Sequence, residues 1–548
     1  MIKIIGGWRW PRLLVGFIAD DMSAANLVQN NSPFRLFMEG PAAPRAGSDE
    51  EIELFRHLQM QLADQFEHAF PDQLAPKAVV ILPSLTLDQE IMQRIDGIVH
   101  YEERLLCMLM LLRMPRTQVV YITSIPLDPV VVDYYLHLLP GITGYHARQR
   151  LTMLSCFDAS PVSLTQKVLD RPRLVQRIRK LIPSGHAAHM TCFNVTPLER
   201  TLAVKLGMPI YGCDPDLFDI ANKSNGRKLF RAAGLKVPDG FEDLRTEEEI
   251  AEALAALRLR HPGLQKAVVK MNEGFSGEGN AVFRYPERML HTDTTPQQML
   301  KLLPHNLKVI APDLSITSFL QKFACHGGIV EVFIEGIEKE SPSVQCRIDP
   351  LGGCDIISTH DQVLGGDSEQ VYLGAYFPAQ PAYAAELARM CQPLMQAMRQ
   401  QGVIGRFGVD FISVKNKKGK WEHYAIEINL RKGGTTHPFL MLKFLTEGTY
   451  HADTGKFKIK TGQLRHYFST DNLMDERYRG LTPHDLIEIA TDHGLIFNGA
   501  AQEGVMFHII GALSQYGKLG VLCVGKTKEA ARRLYERTQH VLLQACGA

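Results

Sequence analysis

The sequence lacks several features that would assign it to a class at once. Its ten cysteines are scattered and include no C-x-x-C pair, which argues against a zinc site or a disulfide framework and favours free thiols in a reducing cytosol. Its 60 basic and 59 acidic residues leave a net charge of +1, so bulk charge gives no reason to expect nucleic acid as a partner.

Long apolar segments are also missing. The run at 13–18 is short and meets two aspartates at once, so we expect no signal peptide. The run at 105–112 is flanked by arginines and is far shorter than the roughly 20 residues that a membrane span needs. We therefore expect a cytoplasmic protein without membrane contact. With 548 residues, 45% of them hydrophobic, the chain has room for about three globular domains.

In the first two hundred residues, short apolar segments alternate with helical ones. Segments 78–82, 118–122 and 188–193 have the composition of buried strands, and 88–112 has that of a long helix. Strands separated by helices are typical of a parallel sheet covered by helices. The sequence therefore predicts an α/β layer, which one further strand at 209–214 ends.

Polar and apolar residues alternate in the strand-like segment that ends at Arg431. The alternation puts Glu427, Asn429 and Arg431 on one face, and the polar run 415–420 predicts a turn that brings Asp410 opposite Glu427. Two carboxylates and an amide oxygen are ligands that Mg²⁺ accepts together with substrate phosphates. For these residues alone, a sheet with one solvated face is the alternative.

A strand at 268–271 runs into a glycine-rich loop. Small residues there let backbone amides approach phosphate oxygens, and Lys270 at the strand end supplies a positive charge. The loop is not a Walker A motif, because no Gly-Lys-Ser/Thr closes it, and it is not a dinucleotide fingerprint. By itself the loop is weak evidence, because most loops of this kind are ordinary turns.

The order of these motifs resembles the ATP-grasp superfamily, in which ATP lies between two α+β lobes. A helix opened by Asn222 comes first, then the glycine-rich loop, a mixed strand at 330–336, and the hairpin. The resemblance implies ATP binding by Lys223, Lys270, Gly274, Ser276, Gly277, Gly279, Glu331, Phe333 and Ile334. It further implies that Asp410, Glu427 and Asn429 bind Mg²⁺ or Mn²⁺, and that Arg431 is catalytic and faces an acyl-phosphate.

Six further segments narrow the resemblance to the pheganomycin-type ATP-grasp peptide ligases: 101–104, 133–136, 194–200, 341–345, 358–362 and 433–438. That family implies α/β and α+β architecture in three parts. These are a pre-ATP-grasp α/β domain (1–218), an ATP-grasp domain (219–450, with a lid at about 265–335) and a small C-terminal α+β domain (451–548). Arg406 stands four residues before Asp410, further than in the broad superfamily, so we leave it out of the site.

Other polar residues allow two interpretations. His360 is either a substrate or phosphate contact or a satisfied structural histidine. Gly434, Thr435 and His437 lie in a small-residue loop that could surround an acyl-phosphate, although loop histidines are often structural. His508 lies in an apolar strand and is expected in the core.

The resemblance implies an ATP-dependent carboxylate–amine ligase that forms an amide or peptide bond through an acyl-phosphate. Its partners would be small-molecule or peptide carboxylates and amines, and a homodimer is a possible assembly. Two alternatives stay open. One is another ATP-grasp chemistry, such as carboxylation, although no biotin-carrier segment is visible; the other is a nucleotide-binding regulator without turnover.

Overall fold

The computed structural model describes residues 43–547, apart from 275–278, 288–293, 312–313 and 366–370. From Ala46 onwards the chain forms one compact unit, to which the elements below belong.

The strands are β1 (Lys77–Leu82), β2 (Thr117–Thr123), β3 (Leu151–Ser155), β4 (Ala187–Cys192), β5 (Gly240–Leu244), β6 (Lys266–Met271), β7 (Asn280–Arg284), β8 (Leu307–Val309), β9 (Gly328–Val332), β10 (Lys339–Ile348), β11 (Cys354–Gly365), β12 (Val371–Phe377), β13 (Gly405–Lys415), β14 (Trp421–Asn429), β15 (Thr449–His451), β16 (Lys456–Lys458), β17 (His466–Met474), β18 (Gly504–His508) and β19 (Lys518–Gly525).

The α-helices are α1 (Asp49–Asp64), α2 (Gln89–Arg94), α3 (Pro129–His137), α4 (Gly144–Arg148), α5 (Leu164–Leu169), α6 (Pro172–Lys180), α7 (Pro197–Leu206), α8 (Lys223–Ala232), α9 (Glu247–Arg260), α10 (Pro296–Asn306), α11 (Ile316–His326), α12 (Ala384–Gln400), α13 (Thr436–Thr446), α14 (Pro483–Asp492), α15 (Leu513–Tyr516) and α16 (Lys528–Ala545). A π-helical turn follows α1 (Gln65–Ala69), and 3₁₀ segments occur at Ile98–Arg113, Pro215–Ala221, Glu476–Gly480 and Ile510–Ala512.

The N-terminal layer is a parallel sheet in the order β3-β2-β1-β4, which confirms the predicted α/β arrangement. The long helix predicted at 88–112 is in fact α2 followed by a 3₁₀ segment, because Gly97 interrupts it with a φ of 66°. The strand predicted at 209–214 is reduced to a single bridge between Met190 and Ile210. There the Gly212 amide donates to the Ile210 carbonyl and turns the chain away.

The second sheet is antiparallel, in the order β5-β9-β6-β7-β8. Helix α9 begins at a capping box, in which Thr246 accepts from the Glu249 amide and Glu249 accepts from the Thr246 amide. Helices α10 and α11 lie in the region 285–330, where the apolar periodicity of the sequence is weak. Buried Leu254, Phe283 and Phe319 belong to the core of this lobe.

The third sheet has the order β14-β13-β10-β11-β12-β17-β19-β18, with antiparallel neighbours throughout. Its β13–β14 hairpin has Asp410 directly opposite Glu427, so the predicted register is confirmed. The turn is closed by Asn416, whose side chain accepts hydrogen bonds from the Lys418 and Lys420 amides.

The C-terminal strands belong to this same sheet. Strand β17 pairs with β12 through Ala375 and Ser469, so the predicted ATP-grasp and C-terminal parts share one continuous sheet. Phe377 of β12 stacks on Tyr467 of β17 with ring centroids 4.8 Å apart. The domain boundaries themselves stay predictions.

Across the described residues, no helix has both the length and the apolar composition required to span a bilayer. All ten cysteines are free, as the sequence predicts.

Candidate active site

A cavity of about 340 Å³ is lined by residues of the second and third sheets together with Tyr101, Arg104 and Phe193 of the N-terminal layer. Many of the predicted site residues line it: Lys223, Lys270, Gly274, Glu331, Phe333, Ile334, Asp410, Glu427, Asn429, Arg431, Gly434 and Thr435. Four motifs that are distant in sequence therefore meet in one cavity.

The carboxylates of the hairpin lie at the centre of this lining. Asp410 accepts a hydrogen bond of 3.0 Å from the Asn429 amide and another of 3.0 Å from Gln362 of β11. The side-chain oxygen of Asn429 accepts from Arg431 at 3.0 Å. In this arrangement the side-chain nitrogen of Asn429 faces Asp410. The side-chain oxygen of Asn429 could therefore bind a metal ion beside Asp410 only after the side-chain amide rotates.

Electrostatics distinguish the two carboxylates. Desolvation, with the nearby charge of Glu427, raises the pKa of Asp410 to about 6. Burial also opposes ionisation of Glu427, but Lys223, Lys270 and Arg431 together outweigh it and hold the pKa of Glu427 below its ordinary value. A cation bound between these two facing carboxylates would favour the ionised form of both.

Each of the two lysines that we predict to bind phosphate forms an ion pair with a carboxylate. Lys223, at the start of α8, has its Nζ 3.4 Å from Oε1 of Glu427. Lys270, at the end of β6, donates to Oε1 of Glu331 at 2.5 Å. The other oxygen of Glu331 accepts from buried Arg227. The side chain of Glu331 therefore positions Lys270, a role that its expected part in ATP binding does not include.

The glycine-rich loop is described only at its two ends. Gly274 and Gly279 approach each other so closely that a Cβ on Gly274 would lie 3.1 Å from the Gly279 Cα. Ser276 and Gly277 lie outside the described residues.

The segment that follows β9 carries Phe333 and Ile334, which the resemblance assigns to ATP binding. Both line the cavity, and the ammonium nitrogens of Lys266 and Lys339 lie 5.2 and 4.6 Å from the centroid of the Phe333 ring. The Phe333 amide already donates to the Lys266 carbonyl at 3.3 Å, so the segment is tied to strand β6.

Two predicted histidines do not line the cavity. His360 is fully buried and its Nε2 shares a hydrogen bond of 2.8 Å with the Tyr467 hydroxyl, so the structure favours its structural interpretation over a substrate contact. His437 is buried behind the cavity wall, with its Nε2 3.2 Å from Oδ1 of Asp471. His508, expected in the core, is buried and shares a hydrogen bond of 2.7 Å with the same oxygen.

Sequence reasoning missed several residues of the lining. Strand β10 contributes Ser341, Ser343 and Gln345, whose alternation is a one-face pattern that was available in the sequence. Tyr372, Arg104 and Asp471 lie in three separate parts of the chain, and no local pattern relates them to the hairpin.

Comparison with known proteins identifies an ATP-grasp region. A family model described as "IQCH-like, ATP-grasp" matches residues 218–308 and 314–453. This central part of the chain is therefore ATP-grasp in type. A second model, described as "PGM1 C-terminal domain", matches residues 485–538. The resemblance stated from the sequence motifs is thereby confirmed.

Among curated relatives, the L-propargylglycine–L-glutamate ligase of Streptantibioticus cattleyicolor is 28% identical over 473 residues, which are 85% of this chain and 93% of the relative. The IQ motif-containing protein H of Danio rerio is 22% identical over 547 residues, and the match covers 91% of this chain but only about half (51%) of that protein. A solved biotin carboxylase–β,γ-ATP complex from Campylobacter jejuni aligns with a TM-score of 0.50 at 12% identity, covering 86% of this chain and 95% of that one. At this identity it supports the ATP-grasp fold alone.

Proposed function

We propose that this ATP-grasp protein is an ATP-dependent carboxylate–amine ligase that forms an amide or peptide bond through an acyl-phosphate and releases ADP and phosphate. One observation carries the proposal: Lys223, Lys270 and Arg431 surround the facing carboxylates Asp410 and Glu427 in a cavity between two lobes. The ligase name of the Streptantibioticus relative, matched over 85% of this chain, supports the same chemistry.

The hairpin fits a divalent cation. Asp410 and Glu427 provide carboxylate oxygens, and Asn429 adds an amide oxygen. The raised pKa of Asp410, caused by desolvation and by Glu427, indicates a local shortage of positive charge. When bound there, Mg²⁺ or Mn²⁺ would reduce the negative charge on the phosphate oxygens of ATP.

The first step needs cations from the chain itself, because carboxylate and triphosphate repel each other. A substrate carboxylate oxygen attacks the γ-phosphorus of ATP, and the bond to the bridging oxygen breaks to release ADP. Lys223 and Lys270 contact the phosphates, while Arg431, fixed by its hydrogen bond to Asn429, stabilises the charge on the transferred group.

In the second step an amine nitrogen attacks the acyl carbon, and the carbon–oxygen bond to phosphate breaks. Starting from an ammonium group, two protons leave the nitrogen; one ends on phosphate and the other in solution. The Gly433–Thr435 segment beside Arg431 supplies small residues around the mixed anhydride. The glycine-rich loop that follows Lys270 would exclude water, which otherwise hydrolyses the acyl-phosphate.

The remaining assignments extend this proposal. We retain the three-domain division at residues 218 and 450, with a lid within the second part. A cytoplasmic location is supported by the ten free cysteines. A homodimer remains an expectation from the resemblance.

The test is a screen of L-amino acids and short peptides, offered in pairs with MgATP, in which ADP release is measured and products are identified by mass spectrometry. We expect ADP, phosphate and an amide from at least one pair. AMP and pyrophosphate as products, or stimulation by bicarbonate in place of an amine, would reject the proposal.

A further inference from the structure

One end of the cavity is left unassigned by the roles given above. Arg104, Tyr372 and Asp471 line the cavity in the part reached through Gly434, which approaches the Tyr372 ring. A ligase needs room there for its second substrate, so the chemistry of this wall bears on what that substrate is.

Arg104 is fixed in orientation but incompletely paired. Its guanidinium lies 4.2 Å from the ring centroid of Phe193 and 4.8 Å from that of Tyr101. Its Nε donates to the Tyr101 carbonyl at 3.3 Å, and its Nη1 lies 3.4 Å from Oδ2 of Asp471. Among the described residues Nη2 has no acceptor. A planar cation with one unused edge in a cavity is suited to a carboxylate.

Asp471 is held as an anion beside this cation. Its Oδ1 shares a hydrogen bond of 2.7 Å with His508 and lies 3.2 Å from Nε2 of His437. Burial opposes its ionisation, but the contacts with His437 and His508 outweigh burial and hold the pKa of Asp471 well below its ordinary range. An ionised carboxylate in a cavity wall is suited to an ammonium group.

Tyr372 is close to both Asp471 and Asp410, which is one of the predicted metal ligands. Burial raises its pKa, and the charges of Asp471 and Asp410 both add to the rise, so the phenol lies within electrostatic reach of both carboxylates. A Cβ on Gly434 would lie 3.1 Å from the Tyr372 ring. The Arg104–Asp471 pair therefore borders the same segment that we place around the acyl-phosphate.

We propose that Arg104 and Asp471 bind the amine substrate and that this substrate is an α-amino acid, with its α-carboxylate on Arg104 and its α-ammonium group on Asp471. The inference rests on the proposed ligase function and names its acceptor class. A cation and an anion 3.4 Å apart match the two adjacent charges of a zwitterion, whereas a simple amine would bring no acceptor for the unused Nη2 edge of Arg104.

His437, Asp471 and His508 could instead be metal ligands, because two histidines and a carboxylate suit transition metals. The 2.7 Å separation of His508 Nε2 from Asp471 Oδ1 is a hydrogen-bond distance and favours the histidines as supports of the carboxylate. Metal analysis of the purified protein decides this point: one tightly bound transition metal per chain that Asp471→Asn removes would overturn the proposal.

Two assays separate acceptor binding from carboxylate activation. The first supplies MgATP, a pool of the twenty L-amino acids and excess hydroxylamine, which captures the acyl-phosphate as a hydroxamate. The second omits hydroxylamine and measures the amide product, then the KM for the amine once mass spectrometry has identified the pair. Wild-type protein that yields neither hydroxamate nor amide, from this pool or from the short peptides of the screen above, would refute the ligase function itself, and with it the inference.

For Asp471→Asn and Arg104→Lys, we expect a KM for the amino acid raised at least tenfold and hydroxamate formation within about twofold of wild type. Wild type should also prefer the amino acid over its carboxamide, and Arg104→Lys should reduce that preference. Arg113→Lys is the matched control, because Arg113 ends the same 3₁₀ segment and pairs with Glu447 away from the cavity.

The inference is wrong if hydroxamate forms normally but both variants leave the KM for the amine unchanged. It is equally wrong if hydroxamate and amide formation fall together in both variants while the proteins stay folded, since the residues would then act on the first step.

Discussion

At the scale of single residues, the charges of the cavity depend on one another. Asp410 and Glu427 face each other across the hairpin, Lys223 lies 3.4 Å from Glu427, and Arg431 donates to Asn429. Each ion is thus within reach of an opposite charge, as expected where triphosphate and metal replace some of these contacts. The side chains that bind anionic substrates therefore also pair with one another in their absence.

Glu427→Gln and Asn429→Ala should each lower MgATP-dependent turnover by at least about a hundredfold, the scale of losing one key electrostatic group. ADP release at saturating Mg²⁺ measures the effect. Glu422→Gln is the control, since Glu422 lies on the same strand, pairs with Lys236 and does not line the described cavity. Turnover close to wild type in both site variants would contradict the metal assignment.

Lys270→Ala should weaken MgATP binding and leave the fold intact, because Glu331 keeps its ion pair with Arg227 after the lysine is removed. Titration calorimetry gives the affinity and circular dichroism the fold. Lys308→Ala is the control, because Lys308 is exposed on edge strand β8 of the same sheet and does not line the described cavity; it should bind MgATP as wild type does. Equal affinities for the two variants would show that Lys270 does not contact the nucleotide.

Sequence reasoning reached those site residues that lie within a short motif. Asp410 and Glu427 were found because one hairpin relates them, and its register follows from the strand alternation. Arg104 and Asp471 were missed because 367 residues separate them, and only the tertiary fold brings them together. His360 was ambiguous because a polar residue in a strand has the same local pattern whether it lines a cavity or is buried.

At the scale of elements, the hairpin turn sets the register of the metal ligands. Gly419 has a φ of 74°, a conformation that residues with a Cβ rarely adopt, and a Cβ there would meet no atom within 4 Å. Any loss on substitution therefore comes from the backbone alone. The turn lies far enough along the hairpin for stability and site geometry to be tested separately.

Gly419→Ala should lower the free energy of unfolding by about 1 kcal/mol through left-handed backbone strain. Urea denaturation measures this loss. Gly263→Ala is the control, because Gly263 also has open space around its Cα but no left-handed φ. A loss of the same size in both variants would mean that the turn conformation is not the cause.

The secondary-structure predictions were wrong where the local apolar pattern of the sequence and the strand pairing in the fold disagree. Residues 209–214 are apolar enough for a strand, yet the turn at Gly212 leaves only the Met190–Ile210 bridge. Strand β3 was overlooked because all five of its residues are partly exposed, which weakens the apolar signal. The capping box at Thr246, by contrast, is a local pattern, because its two reciprocal bonds depend on residues only three apart.

At the scale of the whole molecule, one sheet joins the ATP-grasp hairpin to the C-terminal strands. His360 lies within this sheet, and its ring packs against Phe377 with centroids 5.2 Å apart. Burial lowers the pKa of His360 to about 3 from its ordinary value of 6.5. The folded protein thus keeps this residue neutral over a range in which the unfolded chain takes up a proton.

A depressed histidine pKa stabilises the fold above pH 6.5, and this stability is lost as the pH falls from 6.5 toward 3. Between pH 7.5 and 5 the loss from His360 is about 2 kcal/mol. His360→Gln cannot titrate, so its unfolding free energy should fall less over that interval, by about this amount. Urea titrations at both pH values measure it, with exposed His57→Gln as the control. Identical pH slopes for wild type and His360→Gln would contradict the assignment of a buried neutral imidazole.

The most direct test of carboxylate activation by this protein follows the nucleotide and the acyl group together. The protein is incubated with MgATP, hydroxylamine and the pool of L-amino acids; ³¹P NMR identifies the phosphorus products and mass spectrometry the hydroxamate. We predict ADP and phosphate in equal amounts, matched by the sum of hydroxamate and amide, all dependent on the amino acids. AMP with pyrophosphate, or ADP release that continues without any carboxylate and yields no hydroxamate, would contradict it.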